Sequence, residues 1–442
     1  MSERTHDVIV IGGGSAGYAA AAAARDAGAD VAIVDHGPLG GLCILRGCMP
    51  SKTILRSSDI MALMRRAPEF GLLPVEAGAD LAAIIGRKER LVRSFADYRI
   101  GQLRSPGFTL YEERAVFENP HRLRAGDHLL EAASFIVATG SVATRPAIPG
   151  LDEAGYLTSD ELLELREQPE SLLVLGGGPV AVELAQFFQR IGTEVTLLQR
   201  SGHILSKGDE DLARPVEEAF REDGMRLFTG TQLHRFSADG KTVTAHFIHE
   251  GEERTASAQL VFQALGRRPN IDGLGLEAAG VESGRAITVD EEMRTSQPHI
   301  FAVGDVNGEH EIVHIAVQQG EIAGHNAVCG ERPAKRMDSR LSVQVVFTDP
   351  AVAGVGRSQK DCRAEGIPHL VASYPFDDHG KSMTMGATHG HVKLICDPDS
   401  GELLGGHIVG PEAGELIHEL IAVMYFRGTV GDLANIPHYH PT

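Results

Sequence analysis

The sequence predicts an α/β protein, and two glycine-rich strand–turn–helix patterns carry this prediction. The first pattern occupies residues 7–35, and the second begins at Ser171. Strands that alternate with helices in this way form parallel sheets covered by helices. From Ser342 onwards the composition changes and the pattern is missing. We therefore expect two Rossmann-like nucleotide-binding domains followed by an α+β domain.

Length and charge limit the classes of protein to consider. A chain of 442 residues exceeds what one hydrophobic core supports, so several domains are expected. The formal charge of -19 argues against nonspecific binding to nucleic acid or to an anionic membrane. Residues 1–7 are short and polar, and the Ala-rich run 19–24 is too short to span a bilayer. We expect a cytoplasmic protein that binds neither nucleic acid nor membrane.

The first pattern contains a dinucleotide-binding turn in the context that such a turn requires. A buried strand leads into Gly12, Gly14 and Gly17, with Ser15 in the same turn, and a second strand ends at Asp35. The glycines permit a tight turn and close approach of a pyrophosphate, and the helix N-terminus favours its charge. The carboxylate suits a ribose hydroxyl. This unit predicts a nucleotide site.

The chain between the two patterns divides into helices and strands. Residues 54–100 have apolar side chains at three- and four-residue spacing, which predicts helices. Residues 107–138 alternate like strands and lead to the small-residue turn Ala138, Thr139 and Gly140. We expect that turn to approach the same cofactor.

The second pattern repeats the first at domain scale. A shift of 164 positions aligns four pairs of residues: Gly12 with Gly176, Gly14 with Gly178, Asp30 with Glu194, and Asp35 with Gln199. Chance is a poor explanation for such agreement. Two nucleotide sites are therefore predicted in one chain.

The two patterns differ where the choice of cofactor is made. Asp35 suits an unphosphorylated ribose, whereas Gln199 is followed by Arg200, which suits a 2′-phosphate. We infer FAD at the first site and NADPH, rather than NADH, at the second. Alternatively, Arg200 simply faces solvent.

The remaining strands end in turns or lead into the last domain. A strand from Leu260 ends at the turn Gly266, and another delivers Gly304 and Asp305. Asp305 either accepts a hydrogen bond from a cofactor hydroxyl or caps the following helix. In the last domain we expect strands at 343–347, 390–396 and 405–409 and helices at 358–365 and 414–425.

Cys43 and Cys48 lie close in sequence within the segment Gly40–Lys52. On an ideal helix they would be about 7.5 Å apart along the axis, whereas a disulfide requires Cα atoms about 4.4–6.8 Å apart. We expect a distortion at Gly47 and a straighter helix beginning near Pro50. The pair is either a redox-active disulfide or two buried, reduced cysteines. The other three cysteines are interpreted as inert thiols: Cys329, Cys362 and Cys396.

Together these motifs resemble the class I flavoprotein disulfide reductases, or pyridine nucleotide–disulfide oxidoreductases, which include dihydrolipoamide dehydrogenase, glutathione reductase and mercuric reductase. The resemblance rests on the two glycine patterns, Gly40–Lys52, Ala138–Gly140, Gly304–Asp305 and His440–Thr442. It implies an FAD-binding domain at 1–149 and an NAD(P)-binding domain at 150–268. It also implies a central segment completing the FAD domain at 269–336 and a dimerisation domain at 337–442.

The resemblance also implies an activity and the residues that perform it. NAD(P)H bound near Gly176, Gly178 and Arg200 would reduce the flavin. Cys48 would receive the electrons as the charge-transfer thiolate, and Cys43 would attack a small disulfide substrate through a mixed disulfide. His440 would act as the acid/base residue, reaching the active site from the partner subunit of a homodimer. Lys52 and Glu183 would form an ion pair near the flavin. The residues that would contact the cofactors are Gly41, Gly266, Gly304 and Asp305.

Three positions depart from the family pattern. The family usually has a Glu soon after His-Pro-Thr, whereas this sequence ends at Thr442, so we expect either a shortened form or a histidine oriented by other groups. Arg46 stands between the cysteines and suggests an anionic substrate; alternatively, it is merely exposed. Pro179 replaces the bulky Tyr of glutathione reductases and favours the dihydrolipoamide dehydrogenase and mercuric reductase branches.

Two other functions stay open, and no metal site is expected. The same flavin–dithiol centre could reduce mercuric ion or a quinone, or the protein could be a redox sensor that has lost turnover. The scattered histidines lack metal-ligand spacing: His389, His391 and His438.

Overall fold

A computed structural model describes residues 2–330, 332 and 334–442. The strands are β1 (Ser2–Ile11), β2 (Val31–Val34), β3 (Thr109–Tyr111), β4 (Ala115–Asn119), β5 (Arg122–Ala125), β6 (His128–Val137), β7 (Ser141–Ala143), β8 (Ser171–Leu175), β9 (Glu194–Leu198), β10 (Arg226–Phe228), β11 (Gln232–Asp239), β12 (Thr242–His249), β13 (Glu252–Ala258), β14 (Leu260–Gln263), β15 (Arg267–Pro269), β16 (Ile300–Ala302), β17 (Val343–Val346), β18 (Ala351–Gly356), β19 (Leu370–Pro375), β20 (His391–Cys396) and β21 (Leu403–Gly410). The α-helices are α1 (Ser15–Asp26), α2 (Gly41–Leu45), α3 (Cys48–Arg65), α4 (Leu81–Leu103), α5 (Leu151–Ala154), α6 (Ser159–Leu162), α7 (Pro179–Ile191), α8 (Glu210–Glu222), α9 (Val313–Val328), α10 (Gln359–Glu365), α11 (Gly380–Thr384), α12 (Ala413–Tyr425) and α13 (Val430–Asn435). Short 3₁₀ turns cover Ala67–Phe70, Gly304–Asn307, Ser339–Leu341 and Phe376–Asp378.

The first of two compact units contains Met1–Pro50, Glu89–Thr144 and Arg267–Asp338. Its main sheet has the order β3-β2-β1-β6-β5-β4, and β16 also pairs with β6. The strands β3, β2, β1, β6 and β16 run parallel, whereas β4 and β5 form an antiparallel extension of β6. This is the doubly covered parallel sheet that the first pattern predicts.

Alternation along β1 places apolar side chains on both faces of that sheet. Val8 and Val10 pack with α1 and α9 on one face, while Ile9 and Ile11 pack on the other face against the extension and a later segment of the chain. All four side chains are almost completely buried. Such burial on both sides is typical of a central parallel strand.

Helices α1 and α9 pack unusually closely because α9 has glycines at the contact. A Cβ added at Gly320 would lie 2.3 Å from the carbonyl oxygen of Ala16, and one at Gly324 would lie 2.2 Å from that of Ala20. No larger side chain fits at either position without moving a backbone. The contact fixes α1, the helix that follows the first glycine turn.

The second unit contains Ser51–Lys88, Arg145–Gly266 and Ser339–Thr442. It has a parallel sheet of order β10-β9-β8-β14, a three-stranded antiparallel sheet β11-β12-β13, and a five-stranded antiparallel sheet β17-β18-β21-β20-β19. The parallel sheet packs against α7 and α8 in one apolar core. The five-stranded sheet packs against α12 in another.

Most of the predicted elements are confirmed, including the α/β class. The helical region 54–100 is interrupted, because residues 71–80 are not helical between α3 and α4. The prediction missed β11, β12, β13, β18 and β19. All six residues of β19 are exposed, so this strand lacks the alternation that marks a half-buried strand. The domain boundaries at 149, 268 and 336 stay a prediction.

A helix that crosses a membrane is long and apolar. Among the residues that the structure describes, none of the helices meets both conditions.

Candidate active site

The first glycine turn is shaped by backbone contacts that exclude side chains. Gly12 has φ 104°, and its N–H donates to the carbonyl oxygen of Val34 at 2.8 Å. A Cβ added at Gly12 would lie 2.4 Å from the carbonyl oxygen of Ala138, and one at Gly17 would lie 1.8 Å from that of Gly12. Both positions therefore require glycine.

The groups around this turn fit the adenosine diphosphate portion of FAD. Gly14 is the N-cap of the twelve-residue helix α1, so no side chain competes for the N–H groups of the first turn, which favour a phosphate. Asp35 accepts hydrogen bonds from Gly13 N at 2.7 Å and from Gly37 N at 2.8 Å. Each carboxylate oxygen has a second lone pair for a ribose hydroxyl.

The second glycine turn reproduces this geometry. Gly176 has φ 108°, donates to Leu198 at 2.9 Å, and a Cβ there would lie 2.5 Å from the carbonyl oxygen of Ala264. Gly178 is the N-cap of α7, and Pro179 occupies its first turn. The repeat found in the sequence is therefore also a repeat of backbone contacts. It extends to Gly266, which has φ 113° and follows Ala264 as Gly140 follows Ala138.

The side chain that lies against the second glycine turn differs from the one that lies against the first. A Cβ at Gly177 would lie 3.0 Å from the amide carbon of Gln199, where the first turn has the carboxylate of Asp35. Gln199 is buried, and Arg200 is exposed directly after it. An anionic group approaching this turn would meet an amide and a guanidinium.

The cysteine segment is distorted as predicted. Helix α2 ends at Arg46, which has φ -140° and ψ 3°, and helix α3 begins at Cys48. A Cβ added at Gly47 would lie 3.3 Å from the Cα of Cys43, so the chain folds back towards Cys43 just before Cys48. Both cysteines are partly exposed, whereas the other three are buried: Cys329, Cys362 and Cys396.

Helix α2 begins against the first glycine turn. Gly41 has φ 77°, and a Cβ there would lie 2.6 Å from the Cα of Gly14. The backbone contact leaves no room for a side chain. Cys43 therefore lies on a helix that starts at the turn expected to bind the pyrophosphate.

Lys52 and Glu183 form the predicted ion pair. Lys52 Nζ donates to Glu183 Oε2 at 2.8 Å, and the Glu183 side chain is 4% exposed. The other carboxylate oxygen accepts from the backbone N–H of Phe347 at 3.0 Å. Lys52 Nζ also lies 4.6 Å from the centroid of the Phe347 ring, which places the ammonium group between a carboxylate and an aromatic face.

The two predicted cofactor turns at the ends of β6 and β16 are linked by polar contacts. Asp305 accepts from Ser141 Oγ at 2.6 Å, and Arg267 Nε donates to the same hydroxyl at 2.8 Å. Thr139 Oγ1 donates to the carbonyl oxygen of Asn270 at 2.7 Å. The prediction did not include Ser141 or Asn270, because their partners are more than 125 residues away in sequence.

Arg99 is a further residue that sequence reasoning missed. Its guanidinium carbon lies 4.1 Å from the ring centroid of Tyr18, and its Nε and Nη1 atoms are buried without a hydrogen-bond partner within the described residues. Burial lowers the pKa of Arg99, while Tyr18 and Cys43 raise it. A helical Arg among other charged residues gives no signal of this environment.

The C-terminal histidines differ in their contacts. His438 Nε2 lies 2.8 Å from Glu419 Oε1. His440 is exposed near the end of the chain.

The predicted site residues are divided between the two units. The first unit brings together Gly12, Gly14, Ser15, Gly17, Asp35, Gly41, Cys43, Cys48, Ala138, Thr139, Gly140, Gly304 and Asp305. The second contains Lys52, Gly176, Gly178, Glu183, Arg200, Gly266 and His440. Over the residues the structure describes, no group of three or more His, Cys, Asp or Glu side chains could hold a metal ion.

Two family models match nearly the whole chain. Residues 6–320 match a model described as pyridine nucleotide-disulphide oxidoreductase. Residues 342–442 match the pyridine nucleotide-disulphide oxidoreductase dimerisation domain.

Two relatives that match nearly the whole chain are named for different activities. A mercuric reductase of Staphylococcus aureus is 34% identical over 97% of this chain and 79% of its own length. A dihydrolipoyl dehydrogenase of Halobacterium salinarum is 35% identical over 99% of this chain and 93% of its own length.

Solved structures share the fold over the full length. LpdA of Mycobacterium tuberculosis matches with a TM-score of 0.88 and 30% identity, covering 99% of this chain and 97% of that one. The HOCl-induced flavoprotein disulfide reductase RclA of Escherichia coli matches with a TM-score of 0.86 and 26% identity, with the same coverage.

Proposed function

Because this chain belongs to the pyridine nucleotide-disulphide oxidoreductase family, a family of FAD-dependent enzymes, we propose that it transfers electrons from NADPH to a small disulfide. The electrons would pass through FAD and the Cys43–Cys48 pair. The observation that carries the proposal is the contact between Gly41 and Gly14. It starts the cysteine-bearing helix at the turn expected to bind FAD.

Bound FAD would supply the two-electron chemistry that connects a nicotinamide hydride with a dithiol. The turns at Gly12–Gly17 and Ala138–Gly140, with Asp35, would bind it. Lys52, held in place by its ion pair with Glu183, would supply a positive charge near the reduced flavin. In the overall reaction a disulfide takes two electrons and two protons and becomes two thiols; NADPH and one proton from solution supply them.

The cysteines would perform the exchange in two balanced steps. In the reduced pair the Cys43 thiolate attacks one substrate sulfur, so that the substrate S–S bond breaks and one thiolate leaves. The Cys48 thiolate then attacks the Cys43 sulfur, which re-forms the Cys43–Cys48 disulfide and releases the second thiolate. His440 of the partner subunit would protonate the leaving thiolates. The dimerisation-domain match supports such a homodimer.

Substitution of either cysteine tests this reaction. Cys43→Ser and Cys48→Ser should each abolish NADPH-dependent reduction of a disulfide such as lipoamide or oxidised glutathione. The matched control is Cys362→Ser, because Cys362 is buried and burial raises the pKa of its thiol. Normal turnover in Cys43→Ser would disprove the role of the pair.

NADPH is preferred to NADH because an amide and a guanidinium follow β9. The position of Gln199 below Gly177 avoids the repulsion that a carboxylate would exert on a 2′-phosphate. Arg200→Ala should raise KM for NADPH by about tenfold and leave KM for NADH nearly unchanged. Equal changes with both nucleotides would contradict this preference.

Arg46 supports an anionic disulfide as substrate. It is exposed at the end of α2, between the two cysteines, where its charge would attract a carboxylate. Arg46→Ala should raise KM for oxidised glutathione but not for neutral lipoamide. Arg93→Ala, an exposed position on α4, is the control, and identical KM values in wild type and Arg46→Ala would refute the idea.

Metal-ion reduction is the second candidate, since several relatives that are 34% identical are mercuric reductases. A quinone reductase and a sensor without turnover are weaker alternatives. Stopped-flow reduction with NADPH, followed by mixing with a disulfide, Hg(II) or a quinone, separates the three enzymes. Absence of turnover with every acceptor would indicate the sensor.

A further inference from the structure

The loop of residues 200–209 connects β9 to α8 and packs against the second glycine turn. Leu205 N donates to the carbonyl oxygen of Gly177 at 2.7 Å, and the side chain of Ile204 is completely buried. A Cβ at Gly177 would lie 3.2 Å from Ile204. Arg200 is the first residue of the loop, so the conformation of the loop determines the position of the Arg200 guanidinium.

This loop includes a backbone conformation that must be held in place. Leu205 has φ 49°, in the left-handed region that costs energy for a residue with a side chain. Within the loop, Gly208 N donates to the carbonyl oxygen of Leu205 at 3.0 Å. Such a conformation persists only where the surrounding structure fixes it on both sides.

The far end of the loop is fixed by a buried carboxylate. Asp209 accepts from the backbone N–H groups of Gln359 at 3.0 Å and Lys360 at 2.8 Å, in the first turn of α10. It also accepts from Lys393 Nζ at 2.9 Å, and the Asp209 and Lys393 side chains are only 8% and 2% exposed. Lys393 makes a second ion pair with Asp211 at 2.8 Å.

A second lysine holds the middle of the loop. Lys360 Nζ donates to the carbonyl oxygen of Ser206 at 2.8 Å, and Lys360 is otherwise exposed. Lys360 and Lys393 both belong to the segment that matches the dimerisation-domain model. They therefore fix a loop of the nucleotide-binding part from a distant part of the chain.

We propose that Lys393 and Lys360 are positioning residues for the nicotinamide nucleotide: they hold the 200–209 loop in the shape that receives the phosphorylated ribose. The inference rests on the proposed function, in which this loop lines the NADPH site. In this proposal both lysines act through the loop, by their bonds to Ser206 and Asp209, and not by direct contact with the nucleotide. A change at Lys393 alters nucleotide binding through Asp209 and the loop, while the disulfide end of the reaction stays as it is.

Nucleotide binding to the FAD-loaded protein tests the proposal. Titration calorimetry with NADP⁺ should give a Kd about tenfold higher in Lys393→Met than in wild type, as expected when binding groups are displaced. Lys360→Met should raise the Kd by about threefold, because it removes one exposed hydrogen bond and leaves the buried pair intact. KM for the disulfide should not change in either variant.

Controls separate positioning from a loss of stability and from failure of the proposed function. Lys241→Met, at an exposed turn between β11 and β12, should leave the Kd unchanged. If Lys393→Met does not fold, Lys360→Met decides. An unchanged Kd for NADP⁺ in the folded variants, even with a lower melting temperature, would overturn the inference. If the wild-type protein binds neither NADP⁺ nor NAD⁺, the proposed function itself fails and the inference falls with it.

Discussion

Phe347 is coupled to both members of the Lys52–Glu183 pair. Its N–H binds the carboxylate and its ring lies beside the ammonium group, although the residue is 47% exposed. An aromatic face contributes about 0.5–1 kcal/mol to a cation at an exposed site. The ring therefore restricts where the ammonium group can move.

A double-mutant cycle measures this coupling. Urea unfolding of wild type, Phe347→Leu, Lys52→Met and the double variant should give an interaction free energy of about 0.5–1 kcal/mol. Phe347→Tyr keeps the aromatic face and should behave like wild type. A coupling free energy indistinguishable from zero would show that the ring only lies near the lysine.

Local sequence explains some of these residues and not others. Gly12, Gly14 and Gly176 could be predicted because a tight turn needs glycine at fixed spacing, and Gly47 because Cys43 and Cys48 cannot pair across an undistorted helix. Phe347 could not be predicted, since its partner Glu183 is 164 residues away. Contacts of that kind depend on the tertiary fold and leave no local pattern.

At the scale of elements, the glycine contacts of α9 fix α1 against the sheet. A Cβ added at Gly324 would lie only 2.2 Å from the carbonyl oxygen of Ala20, so a methyl group there would push the helices apart. Because the N-terminus of α1 is the proposed phosphate-binding end, this displacement should reach the cofactor.

Gly324→Ala should lower the free energy of unfolding by about 1–3 kcal/mol and weaken FAD binding. Chemical unfolding of the FAD-free protein and fluorescence titration with FAD measure the two effects. Gly101→Ala is the matched control, because that helical glycine has open space around it and alanine should stabilise α4 by up to about 1 kcal/mol. Equal FAD affinity in both variants would contradict the role of the α1–α9 contact.

The strands β20 and β21 place Lys393 directly opposite His407. Burial lowers the pKa of the His407 imidazole and outweighs the opposing effects of its hydrogen bond with the carbonyl oxygen of Arg357 and of the nearby Asp209 and Asp211 carboxylates; Lys393 adds a smaller lowering effect. Burial also lowers the pKa of His391. In the unfolded chain both imidazoles bind protons near the ordinary pKa of about 6.5.

Stability should therefore fall with acidification. Above about pH 6.5 both states hold neutral imidazoles, whereas below it the unfolded state binds protons that the folded state does not. Urea unfolding at pH 7.5 and 5.5 should show this loss in wild type and a smaller loss in His407→Gln. His234→Gln, an exposed position on β11, should keep the full loss, and an unchanged pH dependence in His407→Gln would refute the assignment. Asp209, whose pKa is raised by burial but lowered overall by Lys393 and backbone N–H groups, loses its contribution only at more acidic pH.

At the scale of the whole molecule, the proposed function requires that each active site be built from two copies of the chain. His440 is exposed in one chain, as expected for a residue that acts on Cys43 of the partner. Homodimers of Cys43→Ser and of His440→Gln should both be inactive with a disulfide. A purified heterodimer of the two variants should regain activity at one of its two sites.

An inactive heterodimer would show that His440 acts within its own chain, whereas an active His440→Gln homodimer would show that His440 has no role. His438→Gln is the matched control, because His438 binds Glu419 and has no assigned role in proton transfer. It should retain turnover.

The order in which the ribosome synthesises the strands determines when the main sheet of the first unit can be completed. The first half of β6 pairs with β5, and residues Phe135–Val137 of β6 pair with β16. β16 is synthesised much later than β5 and β6. At about 5–20 residues per second, Phe135–Val137 wait roughly 10–30 seconds for their neighbour. During that interval the second glycine-rich pattern emerges as a continuous stretch and can fold. The sheet of the first nucleotide-binding pattern is therefore completed after the sheet of the second, although the first pattern is translated earlier. Nascent chains should be able to retain FAD only after β16 has left the ribosome.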